Sequence, residues 1–155
     1  LTPPAREART PQETARAAAE AMWRNDKASQ GLGLEILDVG PGRATLAMTV
    51  TGAMTNGHDT AHGGFIFALA DSAFAFACNS YGETTVAAHC SITFIRPGKR
   101  GERLVAAARE LSRQGRSGIY DVQISVDGVA IAEFRGHSRT VGGSFIESPD
   151  GETPQ

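Results

Sequence analysis

The 155-residue sequence predicts an α+β fold in which one long apolar helix is wrapped by an antiparallel sheet. Three observations predict it. The stretch HGGFIFALADSAFAFACNSYG, from His62 to Gly82, is the most apolar of the chain, and its small residues are spread all round it, as in a helix buried on every side. Segments of strand character flank it, two before and four after, separated by turn residues. Finally, there is no internal repeat and no alternation of strand with helix, so a parallel sheet is not expected.

The elements follow in order. Leu1 to Thr10 carries two prolines, three charged side chains and little to bury, and is expected to be a mobile tail. The run PQETARAAAEAMWRND then starts a surface helix, with Thr10 as cap, Pro11 at the first position and Glu13 closing a capping box. Ala18, Ala21, Met22 and Trp23 form its expected docking stripe. Leu34 and Ile36, then Ala44, Leu46, Met48 and Val50, alternate across the turn DVGPGR and predict a hairpin. The polar loop TGAMTNGHDTA leads into the buried helix. Beyond Gly82, strands are expected over 84–96, 102–113, 117–126 and 129–141, with Pro97-Gly98, Gln114-Gly115 and Asp127-Gly128 at the turns. The last of these is a strong hairpin signal. A single domain over 11–143 and a loose tail over 144–155 complete the expectation.

Composition narrows the function. Fifteen basic and 17 acidic residues leave a net charge of -2, which gives no broad attraction for nucleic acid. Cys78 and Cys90 lack the spacing of a zinc site or a disulfide framework and suit a reducing cytoplasm. No stretch approaches the roughly 18 uninterrupted apolar residues of a membrane span, and no hydrophobic secretory core opens the chain. A soluble cytoplasmic protein is the expectation.

Asp71 is the first candidate for chemistry. It is the only ionisable group after His62 in the apolar helix until Cys78, and a carboxylate there is costly unless something depends on it. It is read as a base or nucleophile with an environment-tuned pKa, against the alternative of a carboxylate at a subunit interface or capping a neighbouring backbone. His62-Gly63-Gly64 opens the same helix, where unpaired N–H groups and the positive dipole end can hold an oxyanion. The plainer reading is that the glycines only let the loop turn. His58 and His62 are four apart, as metal ligands can be, but Gly57 places His58 in the loop and no third ligand is evident. His62 is therefore cast as an orienting group and Asn56 as a donor near a carbonyl or bound water. Cys78 falls on the face of Asp71 but reads as inert packing, and His89 has no evident partnership with the site. The basic turn Arg96-Pro97-Gly98-Lys99-Arg100-Gly101 could grip the phosphates of a nucleotide tail, with Arg113 and Arg116 adding to it. No Walker motif, GxSxG elbow, HExxH or Rossmann fingerprint occurs.

NGHDTAHGGFIFALADSAFAFACNSYG, followed by SITFIRPGKRGERL and FRGHSRTVGG, resembles the phenylacetate-pathway (PaaI-type) hotdog-fold thioesterases over the span 22–143. The resemblance implies the hotdog fold, a long helix wrapped by an antiparallel sheet, with sheets pairing into homodimers and commonly homotetramers. It implies acyl-CoA substrates, in particular phenylacetyl-CoA or a ring-hydroxylated relative released as free acid and CoA. It puts the helix carboxylate on Asp71, the oxyanion glycine on Gly63, the helix-start histidine on His62 and the loop asparagine on Asn56. Gly64, Arg96, Lys99 and Arg100 are the expected contacts for the rest of the substrate.

Asp71 would then attack the thioester carbonyl itself or deprotonate a water that does, with no metal or redox cofactor required. The residues do not choose between these routes. Phe65, Phe74 and Met54 are candidate walls for an aryl ring and equally candidates for core. The rival readings are a hydratase of the same fold, a non-catalytic acyl-CoA-binding module and a purely structural oligomer.

Overall fold

The computed structural model describes Leu1 and residues 7–146. The predicted tails fall largely on residues 2–6 and 147–155, outside the described residues. Helix α1, Pro11–Asn25, begins with the reciprocal Thr10–Glu13 capping box and proline in its first turn. Its buried stripe is Ala15, Ala18 and Ala19, so Ala21 was misplaced and two alanines were missed. Met22 and Trp23 pack on the core from partly buried positions. Small residues face inward here because α1 lies close against the first strand, where Gln12 Nε2 donates to the Val39 carbonyl at 2.7 Å. A short helix α2, Lys27–Gly31, follows, capped by Asp26.

Strands β1, Glu35–Gly40, and β2, Arg43–Thr49, form the expected hairpin. A 3-10 turn, Gly52–Met54, precedes the long helix α3, Gly63–Cys78. Four further strands follow: β3, Glu83–Phe94; β4, Arg103–Gln114; β5, Ser117–Val126; and β6, Val129–Ser144. All pairs are antiparallel and the order is β1-β2-β4-β5-β6-β3, so α3 carries the chain from one side of the sheet to the far edge. This is the hotdog arrangement.

Two strand limits differ from expectation by more than one residue. β3 stops at Phe94, because Pro97 and its bend break the ladder before Arg96. β6 extends through Ser144, whose hydroxyl donates to the Gly82 carbonyl at 3.0 Å. The chain is therefore still held at the position where a loose tail was expected to begin.

The core lies between α3 and the sheet. On β5, Gly118, Tyr120, Val122, Ile124 and Val126 are buried while the alternate residues are not, which turns one face of a period-two strand to the helix. Ile66, Leu69, Ala70, Ala73, Phe74 and Ala77 of α3 meet it. Close approach needs Gly136, where a Cβ would stand 2.7 Å from the Phe74 ring. The hairpin between β5 and β6 turns on Asp127 and Gly128, both at positive φ, the two-residue turn that matches strand twist.

Candidate active site

His62 is the N-cap of α3, in extended backbone, and its Nδ1 accepts from the Gly64 N–H at 3.0 Å. That bond satisfies one of the orphan donors of the helix start. It leaves the Gly63 N–H as the donor without a partner among the described residues, at the positive end of the helix dipole. It also commits the Gly64 N–H to the cap, so substrate contact at Gly64 reduces to close backbone approach. Because Nδ1 is the acceptor, a neutral His62 carries its proton on Nε2.

The segment before α3 is tied down on both sides. His62 N–H donates to the Met54 carbonyl at 2.8 Å and Ala61 N–H to the Gly98 carbonyl at 2.7 Å. The Asn56 side-chain oxygen accepts from His58 N–H at 2.9 Å and from the Thr60 hydroxyl at 3.1 Å. Asn56 is thus the organiser of the loop, and its amide nitrogen is the part left to donate to a ligand. His58 stays in this loop, exposed, as expected. Among the described residues no three His, Cys, Asp or Glu side chains cluster to hold a metal.

Asp71 lies two turns into α3. Gly64, Ala68, Asp71 and Ala75 share one helix face by spacing, and none of the four is fully buried. No hydrogen bond reaches the carboxylate among the described residues, and burial raises its pKa above the ordinary aspartate value. A carboxylate without donors and partly desolvated is a better base and nucleophile than a solvated one. Burial likewise pushes the Cys78 thiol up to about 12, and the nearby Asp71 charge adds to this, so Cys78 is inert packing. Cys90 of β3 also feels the Asp71 charge. His89, one residue earlier, points to the opposite face of the strand, where its ring meets His137 edge-on at 5.6 Å.

An open groove of about 510 Å³ runs past Gly63, lined by Thr60, Ile66, Phe94, Ile95 and Arg96 among others. The basic turn forms one end of it. Thr60 bridges to Lys99, and Arg100 pairs with Asp59 at 2.9 Å with both side chains exposed. Arg96 and Lys99 are also exposed. Arg113 and Arg116 do not join this group. β4 runs from Arg103 to Gln114, which puts them roughly 30 Å away at the opposite end of the sheet. There the Arg113 guanidinium stacks 3.5 Å above the Tyr81 ring. The hydroxyls of Tyr81 and Tyr120 donate to Glu110 at 2.6 and 3.2 Å, a cluster that sequence reasoning missed.

Of the candidate aryl walls, Phe74 and Met54 are buried in the core, Phe74 beside Tyr120 and Phe134. Only Phe65 stays near the helix start, edge-on to His62 at 6.2 Å. The groove is instead walled by Phe94, Ile95 and Ile66, which no motif marks because their only signal is strand-end or helix position.

A long helix wrapped by an antiparallel sheet, with a free N–H at its start and a partly buried carboxylate two turns on, defines the class of protein as one of the hotdog fold. Residues 58–132 match the model of the thioesterase superfamily. The chain is 44% identical over 128 residues to the acyl-coenzyme A thioesterase PaaI of Escherichia coli, covering 82% of this chain and 91% of that one. The E. coli PaaI structure, from the phenylacetic acid degradation operon, superposes with a TM-score of 0.85 at 42% identity, over 87% of this chain and 99% of that one. A mutant of the phenylacetic acid degradation protein PaaI of Thermus thermophilus gives 0.73 at 39% identity, over 75% and 100%. A Streptococcus mutans protein solved with acetyl-CoA shares the fold at 22% identity and a TM-score of 0.69, over 72% and 90%. This chain belongs to the PaaI-type acyl-CoA thioesterase family. It is an enzyme that hydrolyses thioester bonds.

Proposed function

We propose that the protein hydrolyses phenylacetyl-CoA, or a ring-hydroxylated relative, to the free aryl acid and CoA in aerobic phenylacetate degradation. The carrying observation is the unpartnered Gly63 N–H, which opens onto an apolar groove at the start of the helix that also holds Asp71. The thioester carbonyl accepts from Gly63 N–H, and the helix dipole adds to the stabilisation of its developing negative charge. One such donor is worth about 2.7–4 kcal/mol. Asp71 from the facing subunit of the proposed dimer adds to the carbonyl carbon, giving a mixed anhydride that water opens, or it takes the proton of the water that attacks. Either route breaks the carbon–sulfur bond and releases the CoA thiol. Asn56 Nδ2 donates to the carbonyl or the attacking water, and His62 holds the helix start in place.

The two free thiols, Cys78 and Cys90, support a reducing cytoplasmic location. A homodimer, pairing into a homotetramer, is supported by β3, an edge strand whose outer side has no partner strand in the sheet and whose Val86 is half-exposed. No helix among the described residues is long and apolar enough to cross a membrane.

Thiol release measured over phenylacetyl-, hydroxyphenylacetyl-, benzoyl- and linear acyl-CoAs tests reaction and substrate together. The aryl-acetyl esters should show the highest kcat/KM. A preference for benzoyl or medium linear chains would replace the substrate but keep the reaction, whereas product formation without free thiol would point to a hydratase. Binding without turnover would leave a sensor.

Arg96 and Lys99 are proposed to hold the CoA phosphates, far from the thioester. Reversing both charges should raise KM about tenfold, about 1.4 kcal/mol of binding, with kcat nearly unchanged. Rising salt should weaken the parent more than the variant, since exposed ion pairs are screened. An unaltered KM would assign the phosphates to other residues.

A further inference from the structure

We propose that Phe94 determines which acyl groups this site accepts, its ring forming an adjustable wall beside the Gly63 donor. The inference rests on the thioesterase reading above and deepens it. A Cβ built on Gly63 would stand 2.9 Å from Phe94 Cζ and 3.4 Å from each Cε, so the ring meets the glycine by its tip. The absence of a side chain at 63 therefore has a steric cause besides backbone approach by the substrate. It leaves room for that ring.

Phe94 is unlike the core phenylalanines. Phe74 and Phe134 are at most 2% exposed and are locked by ring contacts at 5.6 and 5.8 Å. Phe94 is 50% exposed, and among the described residues no other ring packs on it. It ends β3, opposite the small Ala132, after which the ladder stops. No ring contact within the described residues holds it at that place, and it lines the groove together with Ile66, Ile95 and Arg96. A carbonyl bound to the Gly63 N–H has the Phe94 ring as its immediate apolar neighbour. The ring's reach then sets the width left for the acyl group, and an aromatic face favours a flat aryl group or a slender chain over a broad one.

The test compares the parent with Phe94→Ala, Phe94→Leu and Phe94→Trp in the full-length protein. Thiol release is measured with phenylacetyl-CoA and with 2-naphthylacetyl-CoA, which keeps the linkage and widens the ring system. Calorimetry with the matching non-hydrolysable thioethers reads site width without turnover. Phe94→Ala should raise the naphthyl-to-phenyl ratio of kcat/KM at least tenfold, Phe94→Leu by less, and Phe94→Trp should lower it. The thioether affinities should follow the same order. Gly63→Ala should lose at least tenfold with phenylacetyl-CoA because its new methyl displaces the ring. The loss should be smaller when Phe94→Ala is present. Melting curves confirm that each variant folds, and the leucine variant carries the comparison where alanine does not fold. Equal scaling of every substrate and thioether, with no relief of Gly63→Ala, overturns this inference alone. A parent that neither cleaves nor binds any of these CoA compounds overturns the thioesterase reading and this inference together.

Discussion

Replacing Asp71 by Asn is expected to lower kcat by about 10²–10⁴-fold or more, the range over which a positioned base contributes, while the protein melts no lower than its parent at neutral pH. Asparagine keeps the shape of the side chain and removes the anionic oxygen that either attacks the carbonyl or takes the proton from water. KM should change little, since the Gly63 donor and the groove are untouched. The stability half follows from the direction of the pKa. Burial raises it, so the folded state favours the protonated acid, and stability drawn from this group is present at low pH and falls as pH rises through the raised value. At neutral pH the parent holds a charge that its surroundings disfavour, and the amide removes that cost. In the parent, the same shift places the acid limb of kcat/KM above the pH at which an ordinary aspartate ionises, with activity rising as Asp71 loses its proton. Steady-state kinetics across pH and thermal denaturation of both proteins check these outcomes. Near-parental kcat in the variant would remove Asp71 from the chemistry.

Two inactive variants, Gly63→Pro and Asp71→Ala, are expected to regain activity when unfolded, mixed and refolded together. Gly63 and Asp71 are eight residues apart on one helix, about 12 Å along its axis at 1.5 Å per residue. An oxyanion donor and an attacking group must both come within about 3 Å of one reacting carbon or its water. One helix does not readily supply both. Two antiparallel helices about the two-fold axis of the proposed dimer would, setting Gly63 of one subunit beside Asp71 of the other. Proline at 63 deletes the N–H at the first helical position, where its ring is tolerated, and the loss of that donor should cost about 10²–10³ in kcat. In a heterodimer one site receives both defects and the other none, so the isolated heterodimer should show about half the parental activity per dimer. Each homodimer is first shown to fold and to elute as the parent does. Heterodimers as inactive as the homodimers would place donor and carboxylate in one chain.

How much of this was legible in the residues varied with the distance over which each feature is determined. The capping box at Thr10 and Glu13, the Asp127-Gly128 hairpin and the uniformly apolar helix are set by neighbours a few positions apart, and all three stand as read. The docking stripe of α1 was read in part, with Ala18, Met22 and Trp23 found and Ala15 and Ala19 missed. Its register depends on how closely α1 lies against β1, and alanines give little periodic signal of their own. Asp71 stood out because a carboxylate is anomalous in an apolar helix, whereas Gly63 was marked by the family resemblance, since paired glycines at a helix start are read most plainly as a turn.

The sequence by itself therefore determined the class of fold, the buried helix and the single carboxylate set within it, since each rests on local pattern or on the cost of burying charge. Only the tertiary structure decided which neighbours share a space. It sent Phe74 and Met54 into the core and Arg113 onto Tyr81 at the far end of the sheet, and it brought Phe94 from the end of β3 against Gly63, 31 positions earlier. It also divided the helix-start donors, giving Gly64 to His62 and leaving Gly63 open. Those outcomes depend on the sheet order β1-β2-β4-β5-β6-β3, which sets side chains distant in the chain against one another. Chain closure over such separations is a property of the packed sheet and not of any window of residues.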